Sequence, residues 1–246
     1  MNVRPLAELT RVDDPAWPVL QELFRSSPSR PEVLSADADR SLAGLEQLQV
    51  TTRSFLGSMV VNCGGLLLDG GWLRVFGGVG SRRMPGLAEV NGFPPAVDPA
   101  WRPAGGLVVA HDILGGVFVL NGSDAAELGR PGEPGQMIYF APDTMEWEPL
   151  EAGYAAWLEW LLSGALDQFY EGLRWPGWRE EITGLPSTVG IAVFPFLWSA
   201  EAQNDLAATH RKPVPMSELL GLRTEFGLQL GSGDPGFLGN PGTADM

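Results

Sequence analysis

Gly106-Leu107-Val108-Val109-Ala110-His111-Asp112-Ile113-Leu114-Gly115-Gly116-Val117-Phe118-Val119-Leu120-Asn121 is the stretch whose reading decides the fold. Two apolar, β-prone runs, Leu107–His111 and Val117–Asn121, flank Asp112-Ile113-Leu114-Gly115-Gly116. A short glycine-bearing connection between such runs predicts an antiparallel hairpin. Beyond it, Gly122–Gly135 reads as a polar loop and Gln136–Ala141 as a further strand, closed by a Pro142-Asp143 turn. Before it, Met59–Asn62, Leu66–Asp69 and Trp72–Phe76 read as short strands, punctuated by glycine pairs at 64–65 and 70–71. The stretch Gly77–Gly105 is rich in Gly, Pro and Arg, has no period, and reads as a long loop of the functional or mobile kind.

Helical periodicity lies outside this central block. Asp13-Asp14-Pro15 is a helix-start signal, followed by Trp17, Leu20, Leu23 and Phe24 at spacings of three and four. Ser26–Pro31 breaks that helix, and Ala36–Leu48 resumes the period through Leu42, Leu45 and Leu48. Glu151–Leu173 carries Tyr154, Trp157, Leu158, Leu161, Leu162 and Ala165 on one stripe, with Ser163-Gly164 placed to bend or split it. Val189–Phe194 is a late strand, with modest helices near Ala200–Ala208 and Met216–Leu220. Helices, then a run of strands, then helices with one late strand predict an α+β fold with a mainly antiparallel sheet, not a doubly wound parallel one. The expected organisation is one domain over 1–230 and a flexible Gly/Pro-rich tail over 231–246.

Composition narrows the function. The formal charge is −14, with one lysine (Lys212) against 15 arginines. Residues 1–130 hold 11 basic and 14 acidic side chains, whereas 131–246 hold 5 and 16. So acidic a second half disfavours nucleic-acid phosphates and anionic lipid, which are gripped by Lys and Arg. It favours solubility and, in recognition, a basic protein partner. No apolar run has membrane-spanning length. The N-terminus, Met1-Asn2-Val3-Arg4-Pro5, lacks an apolar signal core. Cys63 is the only cysteine, which excludes an internal disulfide framework and suits a reducing, cytoplasmic setting.

Catalytic signatures are sparse. Cys63 has only His111 and His210 as possible bases, and a thiolate nucleophile needs one within reach. Cys63 and His111, with Asp112, form the enzyme alternative; the plainer reading is a small apolar cysteine and a hydrogen-bonded strand histidine. Asp143, Glu146 and Glu148 read as a solvated acidic turn rather than a Ca²⁺ or Mg²⁺ site. Gly77–Arg83 is the nearest approach to a phosphate nest, and a solvated loop is the simpler account. No cofactor motif is present. A small-ligand sensor using Gly77–Gly105 as a lid is a third reading. The most suggestive feature is an acidic, Trp-rich stretch: residues 143–181 carry nine acids, two arginines and five of the nine tryptophans. From it Trp160, Trp175, Trp178, Glu146 and Glu148 are the candidate partner contacts, since aromatics anchor interfaces and acids steer a basic partner.

Several phrases together resemble an uncharacterised bacterial domain-of-unknown-function family over about residues 5–230. They include Asp13-Asp14-Pro15-Ala16-Trp17-Pro18, Gly64-Gly65-Leu66-Leu67-Leu68-Asp69-Gly70-Gly71-Trp72-Leu73-Arg74, Tyr139-Phe140-Ala141-Pro142-Asp143-Thr144 and Leu173-Arg174-Trp175-Pro176-Gly177-Trp178. In pattern rather than motif, the glycine-bounded strands and the Trp-rich helix are similar to the SUKH superfamily. That similarity implies an immunity-type toxin-neutralising role or a scaffold role; an acidic binding surface suits a basic toxin nuclease, which must grip phosphates.

Overall fold

A computed structural model describes residues 3–79, 83–231 and 233–242, with side chains for all of these except 38–40 and 230. In chain order come α1 (Leu6–Thr10), α2 (Trp17–Ser26), β1 (Glu32–Ser35), α3 (Ala38–Leu48), α4 (Phe55–Asn62), β2 (Cys63–Leu68), β3 (Leu73–Phe76) and α5 (Leu87–Asn91). The hairpin strands β4 (Gly106–Asp112) and β5 (Val117–Asn121) follow, then β6 (Gln136–Ala141) and β7 (Glu146–Gly153). The chain closes with α6 (Tyr154–Leu162), α7 (Leu166–Phe169), α8 (Trp178–Ile182), β8 (Val189–Phe194), α9 (Ala200–Asn204), β9 (His210–Pro215) and α10 (Met216–Leu230).

Strands β1 to β7 form one antiparallel meander in sequence order, and β8 pairs with β9 in a separate ribbon. The α+β expectation holds, and so does the hairpin. Across its turn the Asp112 N–H donates to the Gly116 carbonyl (2.9 Å), and the Gly116 N–H donates to Asp112 Oδ1 (2.8 Å).

Register carries two rows of side chains across the whole sheet, one on each face. One row is Glu32, Leu67, Arg74, His111, Val117, Phe140, Trp147; the other is Val33, Leu66, Val75, Ala110, Phe118, Tyr139, Glu148. Opposed residues of paired strands share a face, so each row is a line of neighbours. Helices cover the second row: α4 and α6 pack on one another, and Trp157 of α6 meets Phe118 at 5.4 Å. C-terminal chain covers the first. Arg74 Nη1 donates to the Ser187 and Val189 carbonyls (2.9 and 2.7 Å), His111 Nε2 to Leu238 O (2.8 Å) and Trp147 Nε1 to Pro235 O (3.2 Å).

Four local readings differ from the structure. Met59–Asn62 belongs to α4, not a strand. Ser54 Oγ accepts from the Gly57 N–H (3.0 Å), starting a helix, and burial on most sides erases the amphipathic period. The expected acidic turn is mostly β7, an edge strand with one side open to water, where polar residues are tolerated. The long loop contains α5, where the Gly86 N–H donates to Glu89 Oε2 and Gly92 ends the helix at φ 62°. Finally, the expected flexible tail is docked over its described part, 233–242. Besides the bonds to His111 and Trp147, Arg130 Nη2 donates to Phe237 O (3.0 Å), and Leu238 is buried. The helix split at Ser163-Gly164 falls where glycine placed it, with Gly164 at φ 92° between α6 and α7.

Candidate functional site

The candidate contacts divide between two places. Glu146 and Glu148 stand exposed on β7, alternating with Trp147. Glu148 lies opposite Tyr139. Phe169 packs on the Tyr139 ring at 5.1 Å, and half-buried Trp160 packs edge-on against Phe169 at 5.2 Å. Trp160 is thus linked to Tyr139 through the Phe169 ring. Burial, then the carboxylates of Asp143 and Glu146, hold the Glu148 carboxyl above its ordinary range. Among the described residues no cation is ion-paired with these three acids.

Trp175 and Trp178 lie elsewhere, in a cage built on Trp72. Trp72 meets Trp178 at 4.9 Å, Tyr170 at 5.6 Å and Trp175 at 5.7 Å. The Arg174 guanidinium sits 4.3 Å from the Trp178 ring and 5.1 Å from Trp72, and it pairs with Asp69 and Asp167. Arg211 covers Trp175 at 4.9 Å and Arg179 covers Trp178 at 4.2 Å. Trp175 is 2% exposed, so it has almost no surface to give a partner. Its surroundings balance arginine against acid: Arg174 pairs with Asp69 and Asp167, and Arg211 with Glu181. Each stacked arginine contributes roughly 0.5–2 kcal/mol, so the cage holds the fold together. The local signal for it is the alternation Arg174-Trp175-Pro176-Gly177-Trp178-Arg179. The cage anchors a left-handed turn, Asp69 (φ 50°), Gly70 (69°) and Gly71 (96°). Such a conformation strains a residue with a Cβ, and the Arg174 ion pair holds the Asp69 side chain.

Cys63 and His111 are not brought together. They occupy β2 and β4, with β3 between them. Cys63 Sγ contacts the Gly65 carbonyl at 3.3 Å, and burial pushes its pKa up to about 12, the opposite of an activated thiolate. His111 is spent on the Leu238 carbonyl. Asp112 is a structural hub: its Oδ1 accepts from the Leu114 and Gly116 N–H groups (2.9 and 2.8 Å) and its Oδ2 from Tyr139 Oη (2.7 Å) and Tyr170 Oη (3.2 Å). Burial raises its pKa against those four bonds. The two tyrosines were absent from the sequence-based candidates, because nothing local marks a residue whose partner lies 27 or 58 positions away.

The 77–105 segment is pinned rather than loose where described. Gln47 and Asp98 exchange two hydrogen bonds of 2.9 Å, and Asn91 does the same with Val108 at 2.8 Å. Clefts of about 310 and 460 Å³ flank it along α3, the first lined by Trp101 and the second by Phe93. The Gly77–Arg83 nest falls largely on 80–82, outside the described residues.

A seven-stranded antiparallel meander with helices on one face, and a β-ribbon, a helix and a strapped C-terminus on the other, defines an α+β domain with an acidic sheet edge. The chain belongs to the family described as "Protein of unknown function DUF2625", matched over residues 6–219. It is 39% identical over 217 residues to "Putative uncharacterized protein YbfG" of Escherichia coli (strain K12), covering 88% of this chain and 94% of that protein. An "Uncharacterized protein" of Haemophilus influenzae (strain ATCC 51907 / DSM 11121 / KW20 / Rd) is 30% identical over 211 residues, 85% of this chain and 88% of its own length. No solved structure matches. Among the described residues no helix is long and apolar enough to cross a membrane.

Proposed function

We propose that this protein is a cytoplasmic binding domain, residues 1–230, for a basic protein partner. Contact runs along the β7 rim through Asp143, Glu146 and Glu148, with Trp160 of the adjoining helix α6 as the aromatic anchor. The observation that carries this reading is the crowding of Glu148 by Asp143 and Glu146 without a paired cation. Like charges held together cost stability, and a cationic partner relieves that cost while being steered to the rim. Pro149 within β7 and the strand's glutamates oppose backbone pairing with another strand, so recognition passes through side chains. Neutralising a basic toxin nuclease, as in immunity proteins, is the specific form of this role. Trp175 and Trp178 are assigned to packing.

The test is a pull-down from cells with the tagged full chain, washed at rising salt, beside a Glu146→Gln/Glu148→Gln/Trp160→Ala variant. The expected result is a basic partner that elutes with salt from the wild-type protein and is lost from the variant. A partner retained equally by both, at the same salt, sinks the rim as its site. The variant removes repulsion and one half-buried ring, so it folds; circular dichroism checks this.

A further inference from the structure

Arg74 is a buried cation that lacks a carboxylate. It is 2% exposed, and among the described residues no acid lies within ion-pair distance of it. Two of its three nitrogens are spent on main chain: Nε donates to Gly71 O (3.0 Å), and Nη1 to the Ser187 and Val189 carbonyls. Nη2 makes no hydrogen bond among the described residues. Burial pulls the guanidinium pKa down to about 10, opposed by the field of Asp112, so it stays charged at neutral pH. An isolated buried charge is costly unless something pairs with it.

The side chain lines a cavity of about 420 Å³, within the range of small-molecule sites. Leu67, opposite Arg74 on β2, and Leu185-Pro186 supply apolar walls, and the Gly70-Gly71 turn forms a rim. A Cβ placed on Gly70, Gly71 or Gly184 meets nothing within 4 Å, so the space beside these backbones is open. Arg83 and Glu32, paired with one another, stand at the exposed mouth, with side chains 59% and 53% accessible. Among the described residues that line the cavity, Arg83, Glu32 and Arg74 together leave one positive charge.

We propose that this cavity binds a small monocarboxylate, one oxygen accepting from Arg74 Nη2 and the hydrocarbon part resting on Leu67, Leu185 and Pro186. A single free nitrogen and a single net charge match a monoanion. Phosphate, with more oxygens and more charge to satisfy, fits them less well. The site is separate from the β7 rim, so its test stands whatever the outcome there.

The experiment is calorimetric titration of the full chain with butyrate, with butan-1-ol as the uncharged control and inorganic phosphate as the competing anion. The expected result is saturable one-to-one butyrate binding, none from butan-1-ol, and affinity reduced roughly tenfold or more in Arg74→Gln. Because Arg74 also braces the 187–189 backbone, that variant can fail to fold. Leu185→Trp therefore serves as the second: it fills the cavity, leaves Arg74 in place, and is expected to abolish binding. No saturable butyrate heat with the wild-type chain, undiminished affinity in Leu185→Trp, or phosphate binding in preference to butyrate overturns the proposal.

Discussion

His111 shows how one side chain couples pH to stability. Burial pulls its pKa down to about 4, with the bond to Leu238 O opposing and the Arg74 charge adding. The unfolded chain takes up this proton near pH 6.5, whereas the folded chain stays neutral down to about 4. Between those values the unfolded state binds more protons, so stability falls as pH falls, by roughly 2 kcal/mol at pH 5 and about 3 by pH 4. Asp112 works in the opposite sense. Its folded pKa is raised by burial, so its contribution is present at low pH and is lost as pH rises. Urea denaturation at pH 7.5 and 5 on the wild-type chain and a His111→Gln variant separates the two. The variant is expected to lose the acid-side weakening, and an unchanged pH dependence would show that His111 is not its source.

At the scale of elements, the C-terminal segment behaves as a strap. Residues 235–238 accept from Arg130, Trp147 and His111, and Leu238 fills a buried position. Three hydrogen bonds of about 1 kcal/mol each and the burial of one leucine at about 2 kcal/mol make the strap worth on the order of 5 kcal/mol. Truncation after Gly231 should lower the denaturation midpoint accordingly and speed amide exchange in β4 and β5. A truncated chain as stable as the full one would mean the strap adds nothing. Composition pointed the other way here: Gly231 to Met246 has the Gly/Pro content of a tail, and what ties down the described residues 235–238 is carbonyl oxygen, which every residue has. The same limit hid β7, whose acids read as solvated turn, and α4, whose all-round burial left no period. The hairpin and the α6–α7 break were legible because glycine at Gly115 and Gly164 takes the left-handed φ the chain needs there.

For the whole molecule, burial makes Cys63 a reporter of global opening. It lies at 0% exposure in the cluster of buried hydrophobic side chains that runs from Leu9 to Leu238. Its thiol is pushed up to about 12 chiefly by burial, with the Gly65 carbonyl contact opposing. Iodoacetamide at pH 7.5 is expected to modify the native chain only as fast as it unfolds, with a rate that climbs steeply with urea. Rapid alkylation without urea would revive the thiolate-enzyme reading. Charge is distributed on the same scale: Arg74, Arg130 and Arg223 are buried and held by main-chain carbonyls, while Glu146 and Glu148 remain exposed at the sheet edge.

The sequence by itself determined the α+β class, the central hairpin, the amphipathic helices and the absence of an internal disulfide. Periodicity, turn chemistry and composition act over a few residues and are written in the chain. Tertiary structure alone decided which tryptophans are caged and which one packs on Phe169. It also placed Arg74 under the 187–189 segment, Arg130 under the strap, and Tyr139 and Tyr170 on Asp112. Those outcomes depend on sheet register and on contacts between residues up to 127 positions apart, and no local propensity specifies a partner at that distance.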